Sequence, residues 1–292
     1  MLFKRTGSVD GLVLAEVPKP EPQPSEVLVR IHATSVTRGD VVLRKMPFLL
    51  ARLFGQRRKA ILGHEFAGEV EAVGSEVSHY SVGDRVFGTT TGLATGSYAE
   101  YICVPAMGML ATIPPNISFE EAAPVPIGAT TALQFLRRGG IARGKRVLVI
   151  GASGSVGSYA VQIAARFGAL VTGVSSGRNR ELVTSLGAED MIDYTEQDFT
   201  RTDDRFDLIF DAVGSGSAGR AKRLLAANAV LVSVRSPTSE NLSDLIAVRD
   251  LLQGGEIRAV IDRSYPLAEI REAHRYVEQG RKVGNVLVTI AP

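Results

Sequence analysis

Residues 145–168 read KRVLVIGASGSVGSYAVQIAARFG, and this stretch decides the fold. From Val147 to Ile150 the chain is continuously apolar, the pattern of a strand buried on both faces of a parallel sheet. Gly151 interrupts it, and Val156, Ala160, Ile163, Ala164 and Phe167 then fall on one helical face. A strand that passes through a glycine turn into a helix gives meaning to Ala152-x-Gly154-x-x-Gly157, a spacing that is weak by itself. Gly154 lets the backbone approach a pyrophosphate, and Gly157 lets the helix pack against the strand. The N–H groups of residues 154–156, at the positive helix end, are expected to hold the phosphates. Ala152, Ser153, Gly154, Ser155, Val156 and Gly157 are therefore candidate cofactor contacts. The plainer alternative is a tight turn without a ligand.

The pattern repeats outward. ALVTGVS, NRELVTSLG, DMIDY, FDLIFDAVG (206–214), a helix near 218–227 and AVLVSV (229–234) continue a doubly wound parallel sheet, with right-handed crossovers expected. An NAD-binding sheet places Asp or Glu about 20 residues beyond the glycine turn, on the ribose hydroxyls. Here the second strand ends VSSGRN, so Ser175 and Ser176 are neutral donors, Arg178 is a cation, and no carboxylate precedes Glu181. That set welcomes a 2′-phosphate, a charge-assisted contact worth roughly 1.5 to 3 kcal/mol. NADP(H) is the expected cofactor.

Before this region the texture differs. EVLVRIHA (26–33), AGEVEAVG (67–74) and DRVFG (84–88) are short β-branched runs among glycines and prolines, an irregular β-rich domain. Ser118 stands three residues before Glu121, the spacing of a reciprocal helix cap. At the far end, YPLAEIREAHRYVEQG is an amphipathic helix ending at Gly280, followed by the strand VLVTI. The 292 residues are 45% hydrophobic and 22% charged, ordinary for a folded α/β chain, and the net charge of +2 gives no general drive towards nucleic acid. The basic run Arg57-Arg58-Lys59 reads as a solvated loop. The single Cys103, expected to be a buried thiol, excludes an internal disulfide and a multi-cysteine zinc site. No signal-peptide pattern and no membrane-length apolar run is evident, so a cytoplasmic location without a membrane partner is expected.

LGHEFAGEVEAVG, GDRVFG, GSYAEY, AAPVPIGATTAL, GASGSVG, SSGRN and VIDRSYPLAEIREAHRYVEQGRKVGNVLV occur in this order. With them the chain resembles the medium-chain dehydrogenase/reductase superfamily, and within it the zinc-free quinone oxidoreductase-like branch, nearly end to end. The resemblance implies a GroES-like catalytic domain (1–113 and 263–292), a Rossmann-type NADP-binding domain (114–262) and a substrate cleft at their junction. It also implies Thr130 and Thr131 near the nicotinamide, Tyr194 near the adenosine phosphate, and Ala212, Val213, Gly214 and Ser233 along the cofactor, with Gly284 and Asn285 approaching from the tail.

A catalytic zinc in this superfamily uses a cysteine in the segment that here reads SVTRGD, the histidine of GHE and a later cysteine or glutamate. Here Thr37 stands first, a poor zinc ligand, and PVPIGAT contains no cysteine. With no metal expected, the hydride must go to a small apolar molecule that is already electron-poor: a quinone, an enone or a reactive aldehyde. Thr37, Asp40 and Thr131 are candidates for orienting it, and His64 for donating a proton. A zinc alcohol dehydrogenase is the remote alternative. Residues 43–59 are either a packed surface segment or a mobile lid. Relatives continue for a few dozen residues between AVLVSV and the RSPTSENL-like segment, a piece that resembles the outer strand of the nucleotide sheet. Its loss bears on the homodimer usual in the family and on turnover, and keeps an NADPH-binding protein with little activity as a second reading.

Overall fold

The computed structural model describes residues 2–3, 7–46, 61–90, 94–214 and 216–290; the expected lid beyond residue 46 and the basic run lie outside the described residues. By internal contact the chain divides into two units. One comprises Met1–Ile127, Glu240–Gln253 and Ile261–Pro292; the other comprises Gly128–Ser239 and Gly254–Val260.

Along the chain, β1 (Leu2–Phe3) and β2 (Leu12–Val13) form a short antiparallel pair, and β3 (Glu26–Ser35) leads into helix α1 (Arg38–Lys45). Then come β4 (Glu65–Val73), β5 (Arg85–Thr89), β6 (Tyr101–Pro105), β7 (Leu110–Thr112), the short helix α2 (Phe119–Ala122) and α3 (Pro126–Arg138). The parallel half supplies β8 (Arg146–Ile150), α4 (Ser155–Arg166), β9 (Leu170–Ser175), α5 (Arg180–Ser185), β10 (Asp190–Asp193), β11 (Phe206–Asp211), α6 (Ser217–Ala221) and β12 (Leu225–Ser233). The chain closes with α7 (Leu242–Gln253), β13 (Ile261–Pro266), α8 (Ile270–Glu278) and β14 (Asn285–Thr289).

In the first unit the sheet runs β13-β14-β3-β4-β5-β7, with β6 also paired to β3. β3 is long enough to serve two partners on one edge: residues 26–30 pair with β6 and residues 33–35 with β14. The C-terminal strands are thus stitched into the N-terminal domain, around a core of Val27, Val29, Ile31, Phe66, Val86 and Ile102. Two segments assigned from sequence to the nucleotide half cluster here instead. Phe119 of α2 stacks on His32 of β3, with ring centroids 4.2 Å apart, and α7 packs beside β7. The boundary expected at 113/114 therefore falls after Ile127.

The second unit has five parallel strands in the order β10-β9-β8-β11-β12. β8 and β11 are sealed by Leu148, Ile150, Ile209 and Phe206, as sheets covered on both faces must be. On α4 the expected apolar face is buried at Ala160, Ile163 and Ala164, but Phe167 ends the helix and is 40% exposed. The helix expected near 218–227 spans Ser217–Ala221, tightens into a 3-10 turn over Lys222–Leu224 and gives way to β12 at Leu225, earlier than expected. Its pairing with β11 slips between Leu225 and Val230, a stretch that includes Asn228 at φ 62°, a left-handed conformation no other described non-glycine residue adopts. β12 has one strand beside it, is exposed or half-exposed throughout, and carries no charge or proline in its nine residues. Proteins usually protect open edges with such residues.

This order makes a graded prediction. Ile209→Ala, on a fully buried strand, should cost about 2 to 5 kcal/mol in urea unfolding. Val230→Ala, on the 40% exposed edge strand, should cost less than about 1 kcal/mol. Equal losses would mean that another surface covers β12.

Candidate active site

In the parallel unit the expected cofactor residues gather at the carboxyl ends of β8, β9, β11 and β12, where open α/β sheets bind ligands. Gly151 takes φ 81°, and a Cβ on Gly157 would stand 2.0 Å from the Gly151 carbonyl oxygen, so the first turn of α4 can press on the strand end only as glycine. Gly154 caps α4 without a side chain and turns its own N–H back to the Gly151 oxygen (2.9 Å). The expected donor set of residues 154–156 therefore moves one residue along, to the leading N–H groups of the helix itself. Ala152 is buried beneath the turn, and Val156 is half-buried. Gly128 on α3 closes against Ser155 and Tyr159 of α4, with room only for hydrogen, which sets Thr130 and Thr131 one turn further along α3 from the phosphate turn.

At the end of β9, Asn179 Nδ2 lies within hydrogen-bond distance of three hydroxyls, Ser153 Oγ (3.0 Å), Ser175 Oγ (3.0 Å) and Ser176 Oγ (3.1 Å), which share its two N–H groups. Ser175 Oγ in turn donates to Ser153 Oγ (2.8 Å). The second strand is thereby tied to the glycine turn, with Arg178 and Tyr194 exposed beside it. Sequence distance concealed one carboxylate. Asp193, at the end of β10, lies under Gly177, and its Oδ1 accepts from the Thr195 N–H and hydroxyl. The Thr195 bonds, then the Gly177 N–H and Arg180, hold this acid below the usual carboxylate range. The loop Ala212–Gly214 is fixed by another unexpected residue, the buried Asp211. Its Oδ1 accepts from the N–H groups of Val213 (3.1 Å) and Gly214 (3.0 Å), and its Oδ2 from the Ser233 hydroxyl (2.9 Å). The glycine turn, the hydroxyls of Ser153, Ser175 and Ser176 and the Arg178 guanidinium thus stand at the carboxyl ends of β8 and β9, and their chemistry suits a nicotinamide dinucleotide.

The remaining candidates lie in the other unit. Gly63 takes φ 94°, and a Cβ there would meet Ser97 Oγ at 2.3 Å and the Tyr98 ring at 2.5 Å, so glycine makes the turn that starts β4. Thr37 and Asp40 form a capping box on α1: the Thr37 N–H (2.8 Å) and hydroxyl (2.6 Å) donate to Asp40 Oδ2, and the Asp40 N–H donates to Thr37 Oγ1 (3.1 Å). Asp40 Oδ1 takes the remaining partner, His64 Nδ1, at 2.6 Å. Thr37 and Asp40, both expected to orient a substrate, are thus hydrogen-bonded to each other, and Asp40 also to His64. Burial pulls the His64 ring down, but the charge and hydrogen bond of Asp40 outweigh it and hold the ring above its ordinary value. Burial opposes ionisation of Asp40 too, yet His64 and Thr37 keep it below the carboxylate range.

Around this pair lie groups that spacing did not single out. Tyr98, fully buried beside Asp40, has its phenol pushed well up by burial and by that carboxylate. His274 of α8 meets the Tyr98 ring edge-on at 5.7 Å and is pulled down to about 4 by burial. The fully buried Arg44 donates to the Gly7 carbonyl (2.6 Å) and pairs with Glu278. Glu65 accepts from the Ser35 hydroxyl and the Ile127 N–H, and burial raises its carboxyl to about 7. Lys282, whose amine donates to the Gly284 carbonyl, is lowered by burial to about 8, with Glu65 and Asp262 opposing. Gly284 and Asn285 stand at the start of β14 in this unit, Asn285 buried.

The donor set around His64 does not fit a zinc ion. Thr37 is a hydroxyl already donated to Asp40, and both oxygens of Glu65 are engaged. Cys103 sits on β6 opposite Leu28, half-exposed rather than buried. Among the described residues no three of His, Cys, Asp or Glu converge as a metal site.

The Glu65 carboxyl predicts a pH effect. Its folded value of about 7 lies above its ordinary 4.5, so its contribution to stability is full below 4.5 and lost as pH rises through 7. The loss is on the order of 3 kcal/mol. Glu65→Gln, which can still accept from Ile127 N–H and bond Ser35, should gain stability over wild type across that window in urea titrations. Parallel profiles would contradict the assignment.

Known proteins place this architecture. Residues 23–115 match the alcohol dehydrogenase GroES-like domain, and residues 186–246 and 236–288 match the zinc-binding dehydrogenase model. A 2-methylene-furan-3-one reductase of Solanum lycopersicum is 33% identical over 98% of this chain and 77% of its own length. An NADPH-dependent alkenal/one oxidoreductase of Arabidopsis thaliana is 30% identical over 100% of this chain and 79% of its own. The structure of a quinone oxidoreductase from Coxiella burnetii superposes with a TM-score of 0.92 at 28% identity, covering 99% of this chain and 98% of that one. The chain belongs to the medium-chain dehydrogenase/reductase superfamily, in its quinone oxidoreductase-like branch.

Proposed function

We propose that the protein is a zinc-independent, NADPH-dependent oxidoreductase that reduces a small, apolar, electron-poor acceptor such as an enone, a quinone or a reactive aldehyde. The donor set at His64 carries this reading. The position that would supply a thiolate is Thr37, its hydroxyl donated to Asp40, so no Lewis acid is held there to activate an ordinary ketone. An acceptor must then bring its own electrophilicity. The named activities of the tomato and Arabidopsis relatives, on a methylene-furanone and on alkenals and alkenones, support that class.

Bound NADPH supplies the hydride. The protein's part is to hold the dinucleotide on the Gly151–Gly157 turn, with Thr130 and Thr131 near the nicotinamide and Ala212–Gly214 and Ser233 along its length. Preference for NADPH over NADH rests on Ser175, Ser176 and Arg178, since Asp193, the carboxylate in this neighbourhood, is held by Thr195 and Gly177. Tyr194, 58% exposed, offers a ring to the adenosine. No described helix is long and apolar enough to cross a membrane.

A second reading, a protein that binds NADPH with little turnover, is favoured by the five-stranded sheet and its open edge at β12. That same edge bears on the homodimer. An acceptor screen separates the readings. Enones, quinones and aldehydes, each with NADPH and NADH, should give acceptor-dependent oxidation of NADPH that resists chelators. Binding without oxidation across the panel would leave the second reading. Loss of activity to chelators would instead support a zinc enzyme. Arg178→Ala should weaken NADPH by about 10- to 100-fold, the equivalent of roughly 1.5 to 3 kcal/mol, and leave NADH unchanged. An unaltered NADPH Kd would remove Arg178 from the site.

A further inference from the structure

Hydride transfer to an electron-poor double bond leaves an anion that must be protonated, and the sequence points to His64 for that step without a geometry to support it. Several buried groups lie in the first unit, but most cannot serve. Asp40 is ionised and has no exposed surface. His274 is fully buried and held near a pKa of 4, so its ring is neutral at physiological pH. Tyr98 is fully buried with its phenol pushed up. Both oxygens of Glu65 accept hydrogen bonds within the fold.

His64 differs from all of these. Its side chain is 16% exposed, whereas Asp40, on its Nδ1 side, is 0% exposed. The exposed part of the ring is therefore the far side, where Nε2 lies. Asp40 fixes the ring's rotation and keeps a proton on Nδ1 at 2.6 Å, so any second proton resides on Nε2. Asp40 is in turn fixed by the cap of α1. This is the arrangement of a general acid: one nitrogen anchored to a buried carboxylate, the other able to deliver.

We propose that His64 Nε2 is the proton donor of the reduction and that Asp40 is its positioning residue. The assignment rests on the reductase reading above. The hydride and its electron pair form a new C–H bond at the β-carbon of an enone, and the π electrons shift to the enolate. The Nε2–H bond of His64 then breaks, its proton forms the Cα–H or O–H bond, and the neutral imidazole recovers a proton from water. Asp40 of α1 and Glu65 of β4 face the ring, with Tyr98, Arg44, His274 and Lys282 in the surrounding cluster, and the Asp40 contact holds the imidazolium above the ordinary 6.5.

The test uses the full-length protein with NADPH and an enone that the wild type reduces. Wild-type kcat is expected to fall as pH rises through the His64 pKa, above 6.5, with a solvent deuterium isotope effect on kcat. His64→Gln should lower kcat by about 10²- to 10⁴-fold, abolish that alkaline limb and leave the NADPH Kd unchanged. Imidazole in the buffer should restore part of the activity of His64→Ala. A His64→Gln enzyme with wild-type kcat and the same limb would overturn the assignment while leaving the reductase reading intact. So would a wild-type kcat flat with pH and insensitive to deuterium, a result that needs no variant to fold. A wild type that binds NADPH but reduces no acceptor would overturn the reductase reading and this assignment with it.

Discussion

The carboxylate of Asp40 has no contact with solvent, and an ionised group in that position is tolerated only when each oxygen is satisfied. Meeting that condition organises the catalytic unit. Oδ2 draws in the backbone and hydroxyl of Thr37 and so starts α1; Oδ1 draws in His64 and so orients the beginning of β4. Tyr98 and His274 pack around the same charge, which ties the C-terminal α8 to the N-terminal half of the chain. Removing either member of such a buried pair leaves the other uncompensated, so the pair acts as a unit.

The parallel unit uses a similar device. Asp211 is also buried, and its two oxygens hold the backbone after β11 and the Ser233 hydroxyl at the end of β12. In each unit a buried acid sets the local geometry: Asp211 holds the Val213 and Gly214 N–H groups, and Asp40 holds the His64 ring. Glycine plays the complementary part where backbones must nearly touch, at Gly157 above Gly151 and at Gly63 beside Tyr98. None of these positions can be judged from residue type alone, because the role comes from what lies opposite.

This explains which features were legible in sequence. The glycine turn and the strands β8 and β9 depend on short-range periodicity and appear where it places them, whereas the C-terminal helix, expected from Tyr265, forms over Ile270–Glu278 because Tyr265 and Pro266 pair in β13. The Ser118–Glu121 cap is equally local, and it forms. Long-range pairing was less legible. Nothing near Phe119 announces that its ring stacks on His32, which places α2 with the first unit. Asp193 is remote from Gly177 along the chain yet lies against it, since parallel neighbours bring distant strand ends together. Thr37 and Asp40 were legible as a pair of polar residues on one segment, but their mutual hydrogen bonds required the cap geometry.

The central claim, that Asp40 anchors His64 as a poised acid rather than as a metal ligand, is tested most directly by nitrogen-15 NMR of the His64 ring as a function of pH. The account predicts a ring that keeps its Nδ1 proton throughout and titrates at Nε2 above 6.5, with the titration moving down in Asp40→Asn. A ring that titrates at or below 6.5, or whose neutral form carries its proton on Nε2, would contradict it.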